Sequence, residues 1–246
     1  MSKALAALAA GLLLSREFQR LGWRRDVAWD LVIAVTLIGF AGAKLDLLAE
    51  NADQLRWHHL GGSGFTWYGG FVAGLATFWF LARRHHLPLG QLGAVAAAPL
   101  SVAYAIGRLG CLLAGDGTYG RPTDLPWAMT FPNGTVPTVI PVHPTPLYEA
   151  IAALAIAGLL WAVRRRLQPP ATIGVYAVLT GTARFLVEII RVNERTALGL
   201  TQPQLWSLLL VLLGVAALAV TRRRREAWRV GTASPPVAVV DADRPT

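Results

Sequence analysis

Two long segments of this chain carry no charged residue, and they restrict what the chain can fold into. Residues 87–106 and 201–221 are both apolar along most of their length. A helix needs roughly 20 such residues to cross the hydrocarbon core of a bilayer. The composition agrees, because 54% of the 246 residues are hydrophobic and only 15% are charged, which excludes an ordinary soluble globular protein. We therefore expect an integral membrane protein.

Shorter or interrupted apolar segments extend the predicted membrane domain. Four of them cover residues 27–43, 66–82, 144–163 and 171–190. The first apolar segment, residues 4–14, is compatible with a short membrane helix or a peripheral amphipathic one, and no small-residue cleavage site follows it to indicate a signal peptide. Together the segments predict an all-α integral membrane protein with about seven transmembrane helices.

The basic residues indicate how the helices are oriented. The net charge is +9, and the arginines follow alternate apolar segments, at positions 16, 20, 24 and 25, then 83 and 84, then 164–166, then 222–225. This alternation is typical of the positive-inside rule and predicts an N-terminus outside and a C-terminus in the cytoplasm. The basic clusters are then topology and headgroup anchors, so no nucleic-acid partner is expected.

The segment between the fourth and fifth predicted spans carries most of the sequence motifs. Glycines and prolines interrupt it throughout, which predicts a small irregular extracytoplasmic cap with short strands, over about residues 112–142. Residues 1–230 then form one membrane domain, and residues 231–246 a disordered cytoplasmic tail. The single Cys111 cannot form an intramolecular disulfide, and no His or Cys spacing indicates a metal.

Two arginines lie within or beside predicted spans, where an unpaired charge is costly. Arg108 ends the fourth span, and Arg184 lies inside the sixth with Glu188 one helical turn later. This spacing is compatible with a buried ion pair between Arg184 and Glu188. Alternatively, Arg108 and Arg184 converge on one phosphate, whose geometry the guanidinium group matches. A third interpretation is that the arginines only anchor the topology.

Other candidate residues lie at the same predicted surface. His143, Tyr148 and Glu149 mark the entrance to the fifth span, and Asp116 lies in the cap, where it either has a chemical role or stabilises a turn. The third span opens with Tyr68, Gly69 and Gly70. Its glycines permit close approach of another helix or of a ligand, and its aromatic residues suit a membrane interface.

Several of these residues belong to motifs that follow one another in a fixed order. The motifs are Gly107-Arg108-Leu109-Gly110, Gly115-Asp116, Tyr119-Gly120-Arg121-Pro122-Thr123, Asp124-Leu125-Pro126-Trp127 and His143-Pro144-Thr145-Pro146-Leu147-Tyr148-Glu149. In these motifs, and in the run from Arg184 to Glu188 with Arg191, the chain resembles the bacterial prolipoprotein diacylglyceryl transferase family. The resemblance covers nearly all predicted spans.

The resemblance implies an enzyme of the bacterial plasma (inner) membrane that needs no cofactor. Such an enzyme transfers a diacylglyceryl group from phosphatidylglycerol to the lipobox cysteine thiol of a prolipoprotein and releases glycerol phosphate. The partners implied are phosphatidylglycerol, the lipobox segment and membrane lipids. By resemblance, the catalytic residues are Tyr68, Arg108, Asp116, Arg184 and Glu188. The residues implied in substrate binding are Gly69, Gly70, Gly107, Gly120, His143, Tyr148 and Glu149.

The chain departs from the family pattern by substitution at three positions, and one extra residue lies between Asp116 and Gly120. Tyr68 stands where the family often has histidine, and Cys111 and Ala114 replace asparagines. A tyrosine, with an unperturbed pKa of about 10, is a poorer base at neutral pH than an imidazole. Two alternatives therefore accompany the expected function: a related phospholipid-dependent transferase with another acceptor, and a non-catalytic lipid-binding membrane protein.

Overall fold

The computed structural model describes residues 2–51 and 66–231, and seven α-helices contain most of them. These helices are α1 (Ser2–Arg20), α2 (Arg25–Glu50), α3 (Trp67–Arg84), α4 (Leu89–Ala114), α5 (Thr145–Val163), α6 (Pro169–Ile190) and α7 (Gln202–Gly231). Strands β1 (Met129–Phe131) and β2 (Thr138–Val142) lie between α4 and α5. The mostly helical architecture is confirmed, and the predicted tail, from residue 232 onward, lies outside the described residues.

Five of the helices are long and apolar enough to cross a membrane. They are α2, α4, α5, α6 and the Gln202–Arg223 part of α7. The other two, α1 and α3, lie beside them in the bundle, with α1 packed on α4 and α3 packed on α2. The chain is therefore a multi-pass membrane protein, and the predicted spans coincide with observed helices.

Helix α1 runs antiparallel to α4 along most of its length. At one end, a Cβ added to Gly110 would lie 2.4 Å from the Cβ of Ser2. At the other end, Phe18 and Leu92 belong to one buried apolar cluster. The 18 residues from Leu92 to Gly110 correspond to about 27 Å of helix. Since a hydrocarbon core is about 30 Å thick, this packing favours the short membrane helix over the peripheral one.

Glycines bring α2 and α3 into backbone contact. A Cβ at Gly69 would lie only 2.4 Å from the carbonyl oxygen of Gly42 and 2.3 Å from the Cβ of Asp46, and a Cβ at Gly70 would lie 3.2 Å from the carbonyl oxygen of Gly39. The Asp46 carboxylate also accepts a hydrogen bond of 2.9 Å from the backbone N–H of Gly69 and so caps α3. Of the two roles considered for this glycine pair, the structure supports helix packing.

The cap is a small hairpin fastened to the end of α6. Strands β1 and β2 pair antiparallel, with Met129 opposite Val142. Gly115 ends α4 with φ of +55°, a conformation that favours glycine. The backbone N–H of Arg121 donates a 2.8 Å hydrogen bond to the carbonyl of Ile190. The cap therefore lies over the ends of α4 and α6, where the predicted site residues are found.

Candidate active site

Arg108 is held in place by its own helix and by α5. Its Nε lies 3.0 Å from Oε2 of Glu149 and donates to the hydroxyl of Tyr104 at 3.0 Å. The guanidinium carbon also lies 5.0 Å from the centre of the Tyr104 ring. The Tyr104 hydroxyl in turn donates to Oε1 of Glu149 at 2.9 Å. Because Tyr104 precedes Arg108 by one helical turn, the two share a face of α4.

Glu149 is the centre of the cluster, since three arginines surround its carboxylate. Beyond Arg108, Nη1 of Arg184 lies 3.4 Å from Oε1, and Nη1 of Arg191 lies 3.8 Å from Oε2. The Glu149 side chain is only 3% exposed. A carboxylate buried in a membrane protein must be paired, and here its partners come from α4 and from the C-terminal end of α6.

Glu188 is a second buried carboxylate, with a fully buried side chain. Its Oε2 lies 2.7 Å from Nη1 of Arg184 and 3.8 Å from Nε of Arg191. Its Oε1 accepts hydrogen bonds from Asn193 and, at 3.0 Å, from Thr201. The i, i+4 pair considered from the sequence is therefore present, and the start of α7 also supports it.

The cluster, defined as Arg108, Arg184, Arg191, Glu149 and Glu188, carries one excess positive charge, because three guanidinium groups face two carboxylates. Arg184 remains 23% exposed and Arg108 18% exposed. Within the described part of the chain, the buried Nη1 of Arg184 and the Nε and Nη1 of Arg191 have ion-pair contacts but no hydrogen-bond partner. Such an arrangement is suited to binding an anion.

The electrostatics of Arg191 agree with this interpretation. Arg191 lies just beyond the last residue of α6. Burial, followed by the positive charge of Arg184, lowers the pKa of its guanidinium from the usual value. An anionic ligand would offset both effects, because it supplies charge and hydrogen-bond acceptors where water is partly excluded.

A pocket of about 180 Å³ adjoins the cluster on the side of the cap. Its polar lining includes Arg121, Glu188, Arg191, Arg195, Thr201 and Gln204. Next to Arg108, a Cβ added to Gly107 would meet no atom within 4 Å among the described residues. Space for a ligand therefore exists beside Arg191, at one side of the cluster.

His143 and Tyr148 connect the cap to the first turn of α5. The Nδ1 of His143 lies 3.3 Å from the hydroxyl of Tyr148, which accepts a 2.7 Å hydrogen bond from Nε1 of Trp127. The backbone N–H of Gly120 donates to the carbonyl of His143 at 2.9 Å, and a Cβ at Gly120 would lie 2.6 Å from the carbonyl oxygen of Ile190. The contacts described for these three residues hold the cap at the mouth of the bundle.

Asp116 stabilises a turn of the cap. Its Oδ1 accepts hydrogen bonds from the hydroxyl and the backbone N–H of Thr118, at 2.6 Å and 3.2 Å. Burial opposes ionisation of this carboxyl, but the hydrogen bonds from Thr118 and Cys111 and the charge of Arg108 lower its pKa below the usual range. Asp116 is therefore ionised at neutral pH, and of the two interpretations open for it the contacts support the turn.

Tyr68 lies apart from the ion pairs of the cluster. It opens α3, which packs chiefly on α2, and its side chain is 40% exposed. In the described ranges, the ion pairs of the cluster come from α4, α5, α6 and Arg191, with none from α3. Its catalytic role therefore stays a prediction.

Sequence reasoning missed three residues that support the cluster, namely Tyr104, Asn193 and Thr201. The i, i+4 spacing of Tyr104 and Arg108 is a signal that could have revealed the first. Asn193 and Thr201 reach Glu188 through the segment that joins α6 to α7. Since that segment is irregular, spacing alone cannot show which of its side chains turn inward.

Comparison with known proteins identifies the family of this chain. The family described as prolipoprotein diacylglyceryl transferase matches residues 1–220. A phosphatidylglycerol–prolipoprotein diacylglyceryl transferase of Azotobacter vinelandii is 33% identical over 82% of this chain and 80% of its own length. One from Clostridium tetani is 28% identical over 91% of this chain and 92% of its own length. The chain belongs to the prolipoprotein diacylglyceryl transferase family.

Proposed function

We propose that this transferase moves a diacylglyceryl group from phosphatidylglycerol to the lipobox cysteine thiol of a prolipoprotein. The observation that carries the proposal is the convergence of three arginines on the buried carboxylate of Glu149, with one positive charge in excess. A phosphodiester is an anion that matches such a guanidinium cluster. The related transferases of Azotobacter vinelandii and Clostridium tetani are named for these two substrates.

The reaction requires one bond to form and one to break. The thiol sulfur attacks the glycerol carbon that carries the phosphodiester, a new C–S bond forms, and the C–O bond to the phosphate breaks. The thiol proton is lost, and glycerol phosphate leaves with the electron pair of the broken bond. The nucleophile belongs to the substrate, so the enzyme supplies charge stabilisation and orientation.

The arginines have two roles in this mechanism. Arg108 and Arg184 bind the phosphodiester and stabilise the negative charge that grows on the departing phosphate. The same positive field lowers the pKa of the incoming thiol, which increases the fraction of reactive thiolate. Glu149 and Glu188 orient the guanidinium groups through the contacts described above. The guanidinium N–H donors are therefore already oriented for the phosphate before the substrate binds.

The remaining predicted residues surround this centre. Tyr68 is proposed to assist proton loss from the thiol, and Asp116 to shape the cap. Gly107 leaves room for the lipid, and Gly120 allows the cap to approach α6 closely. His143 and Tyr148 hold the cap at the mouth of the bundle. Gly69 and Gly70 position the start of α3 against α2. The lipobox segment and phosphatidylglycerol would enter from the outer leaflet of the bacterial inner membrane if the N-terminus lies outside, as the positive-inside pattern predicts.

The test is transfer by the purified full-length protein in phosphatidylglycerol vesicles. A synthetic lipobox peptide serves as the acceptor, and a peptide with serine in place of cysteine serves as the control. Mass spectrometry should show a thioether-linked diacylglyceryl adduct on the cysteine peptide only, and Arg184→Ala should not form it. A new lipid product without a peptide adduct would indicate another acceptor, and binding of phosphatidylglycerol without any product would indicate a lipid-binding protein.

A further inference from the structure

A second polar cavity lies at the opposite end of the bundle. Its volume is about 390 Å³, and its polar lining includes Glu17, Arg20, Gln91, Arg164, Arg165 and Thr172. Along α5, Arg164 lies 15 residues after Glu149, which corresponds to about 22 Å of helix. The cavity is therefore separate from the arginine cluster described above.

A buried carboxylate organises this cavity. The Glu17 side chain is only 9% exposed, and each of its two carboxylate oxygens pairs with a different arginine. Oε2 lies 2.7 Å from Nε of Arg20, and Oε1 lies 3.4 Å from Nε of Arg164. The partners come from α1 and from the end of α5, so the pairing ties the two helices together while both guanidinium groups stay partly exposed to the cavity.

The charges of the lining are unequal. Arg20, Arg164 and Arg165 face the single carboxylate of Glu17, which leaves two positive charges in excess. Nη1 of Arg164 donates to the carbonyl of Trp161 at 2.6 Å, and its buried Nε has no hydrogen-bond partner in the described residues. A helix-capping and anchoring role would use the arginines but would not require a cavity between them.

The rest of the lining is apolar and continues toward the membrane interior. It consists of Leu21, Ala94, Val95, Ala98, Leu160 and Trp161, with further residues at the rim. An arginine-rich end and an apolar wall suit a molecule with an anionic head and a hydrocarbon chain. Basic pockets between membrane helices recognise phosphate-bearing headgroups by this combination.

We infer that this cavity binds a phosphate-bearing anion, held by Arg20 and Arg164 around Glu17, at the end of the bundle opposite the arginine cluster. The apolar wall favours a phospholipid of the adjacent leaflet over a free phosphate, because only the lipid would use both parts of the lining. The inference does not depend on the transfer reaction, since the two sites share no residue.

The test counts retained lipids by native mass spectrometry of the full-length protein in detergent. Phosphatidylglycerol is titrated against phosphatidylcholine, and the variants compared are Arg164→Gln, Arg166→Gln and Ala94→Phe. Arg166→Gln is the matched control, because it removes the same charge from an exposed residue outside the lining. Ala94→Phe fills the cavity without changing charge. We expect Arg164→Gln and Ala94→Phe to weaken retention of one phosphatidylglycerol by about tenfold or more, and Arg166→Gln to leave it unchanged.

The possible outcomes distinguish a lipid headgroup from free phosphate as the bound anion, and they show when the inference is wrong. Loss of retention in the two cavity variants supports a lipid headgroup. If millimolar inorganic phosphate also displaces the lipid in the wild type but not in Arg164→Gln, the phosphate group alone is recognised, which supports the same site. Equal retention in all variants, or an equal loss in Arg166→Gln, overturns the inference. Transfer activity is measured in parallel, so that a failure of the proposed reaction can be distinguished from a failure of lipid binding in this cavity.

Discussion

Arg184 of α6 and Glu149 of α5 face each other across a helix interface, with Nη1 and Oε1 3.4 Å apart. The same carboxylate also contacts Arg108 and Arg191. One buried side chain thus brings together charges that would otherwise repel one another. This relationship explains how positively charged side chains can remain at the end of an apolar bundle.

Glu149→Gln tests the importance of this carboxylate. Glutamine keeps the volume but leaves Glu188 as the one carboxylate of the cluster facing three guanidinium groups. Breaking a buried ion pair typically costs about 3–5 kcal/mol. We expect a clear fall in the unfolding temperature in detergent together with loss of transfer. Glu194→Gln, at an exposed position, is the matched control and should change neither measurement. An unchanged unfolding temperature in Glu149→Gln would mean that the charges of the arginines are balanced by groups other than Glu149.

Arg184→Lys tests whether geometry matters beyond charge. Lysine retains the positive charge but cannot reach a phosphate and two carboxylates with one planar group. We expect kcat/KM for lipobox peptide to fall about 10- to 100-fold, which corresponds to the loss of one charge-assisted hydrogen bond. Arg166→Lys, outside the cluster, should retain full activity. Equal activity in both variants would reduce the role of Arg184 to that of a point charge.

Asp116 is predicted to act through the cap turn. Asparagine keeps a side-chain oxygen that can accept the hydrogen bonds of Thr118, whereas alanine does not. We therefore expect Asp116→Asn to retain most activity and Asp116→Ala to lose more. A catalytic acid or base would instead be abolished equally by both changes, so measured rates of the two variants decide between the roles.

The pH dependence of Asp116 follows from the direction of its pKa shift. In the folded protein the pKa of Asp116 lies below the ordinary aspartate value. The ionised carboxylate therefore stabilises the fold fully at any pH above the ordinary pKa, and this stabilisation is lost as the pH falls through the lowered pKa. We expect limited proteolysis of the cap to increase only in strongly acidic solution, and less so in Asp116→Asn. A step in cap proteolysis near neutral pH would contradict this assignment.

Tyr68→Phe tests the proposed proton-handling role of the hydroxyl. General acid–base assistance typically contributes 10²–10⁴-fold, and a tyrosine is a weak base, so we expect kcat to fall by about 10²-fold with little change in stability. Tyr176→Phe removes a hydroxyl from a residue packed in the bundle between α4, α5 and α6 and serves as the control. An unchanged rate in Tyr68→Phe would leave Tyr68 as a packing residue at the membrane surface.

Gly69→Ala tests the close contact between α2 and α3. The new methyl group would overlap backbone and Asp46, so α3 would have to move away from α2, and overpacking typically costs about 1–3 kcal/mol. Gly158→Ala, where the methyl group meets no atom within 4 Å in the described residues, should be neutral or slightly stabilising. Thermal unfolding in detergent compares the two, and equal stability would show that the α2–α3 contact adjusts freely.

Much of the fold was predictable because membrane helices follow hydrophobicity. Backbone groups in hydrocarbon must be hydrogen-bonded internally, so an apolar run of sufficient length becomes a helix with few alternatives. The cap was also predictable as an irregular segment, since its glycines and prolines prevent a continuous helix. The packing of α1 along α4 was left open by the sequence, because a run of eleven apolar residues does not show whether its partner is lipid surface or another helix.

The site was only partly predictable. Arg108, Arg184 and Glu149 could each be selected, because a charged residue in or beside a membrane span requires a partner. The identity of that partner could not be read from the chain, except for Glu188, which lies one turn from Arg184. Gly69 and Gly70 were expected to contact either a ligand or a helix, and only the position of α2 distinguished the two.

By itself, the sequence determined which segments enter the membrane and which charged side chains enter with them, since both follow from local hydrophobicity and charge. Tertiary structure decided that Glu149 would join Arg108, Arg184 and Arg191, and that Glu17 would join Arg20 and Arg164 at the other end. The physical reason is that ion pairing depends on distances of a few ångströms between different helices. Those distances are set by how the helices pack, which no spacing along a single helix can specify.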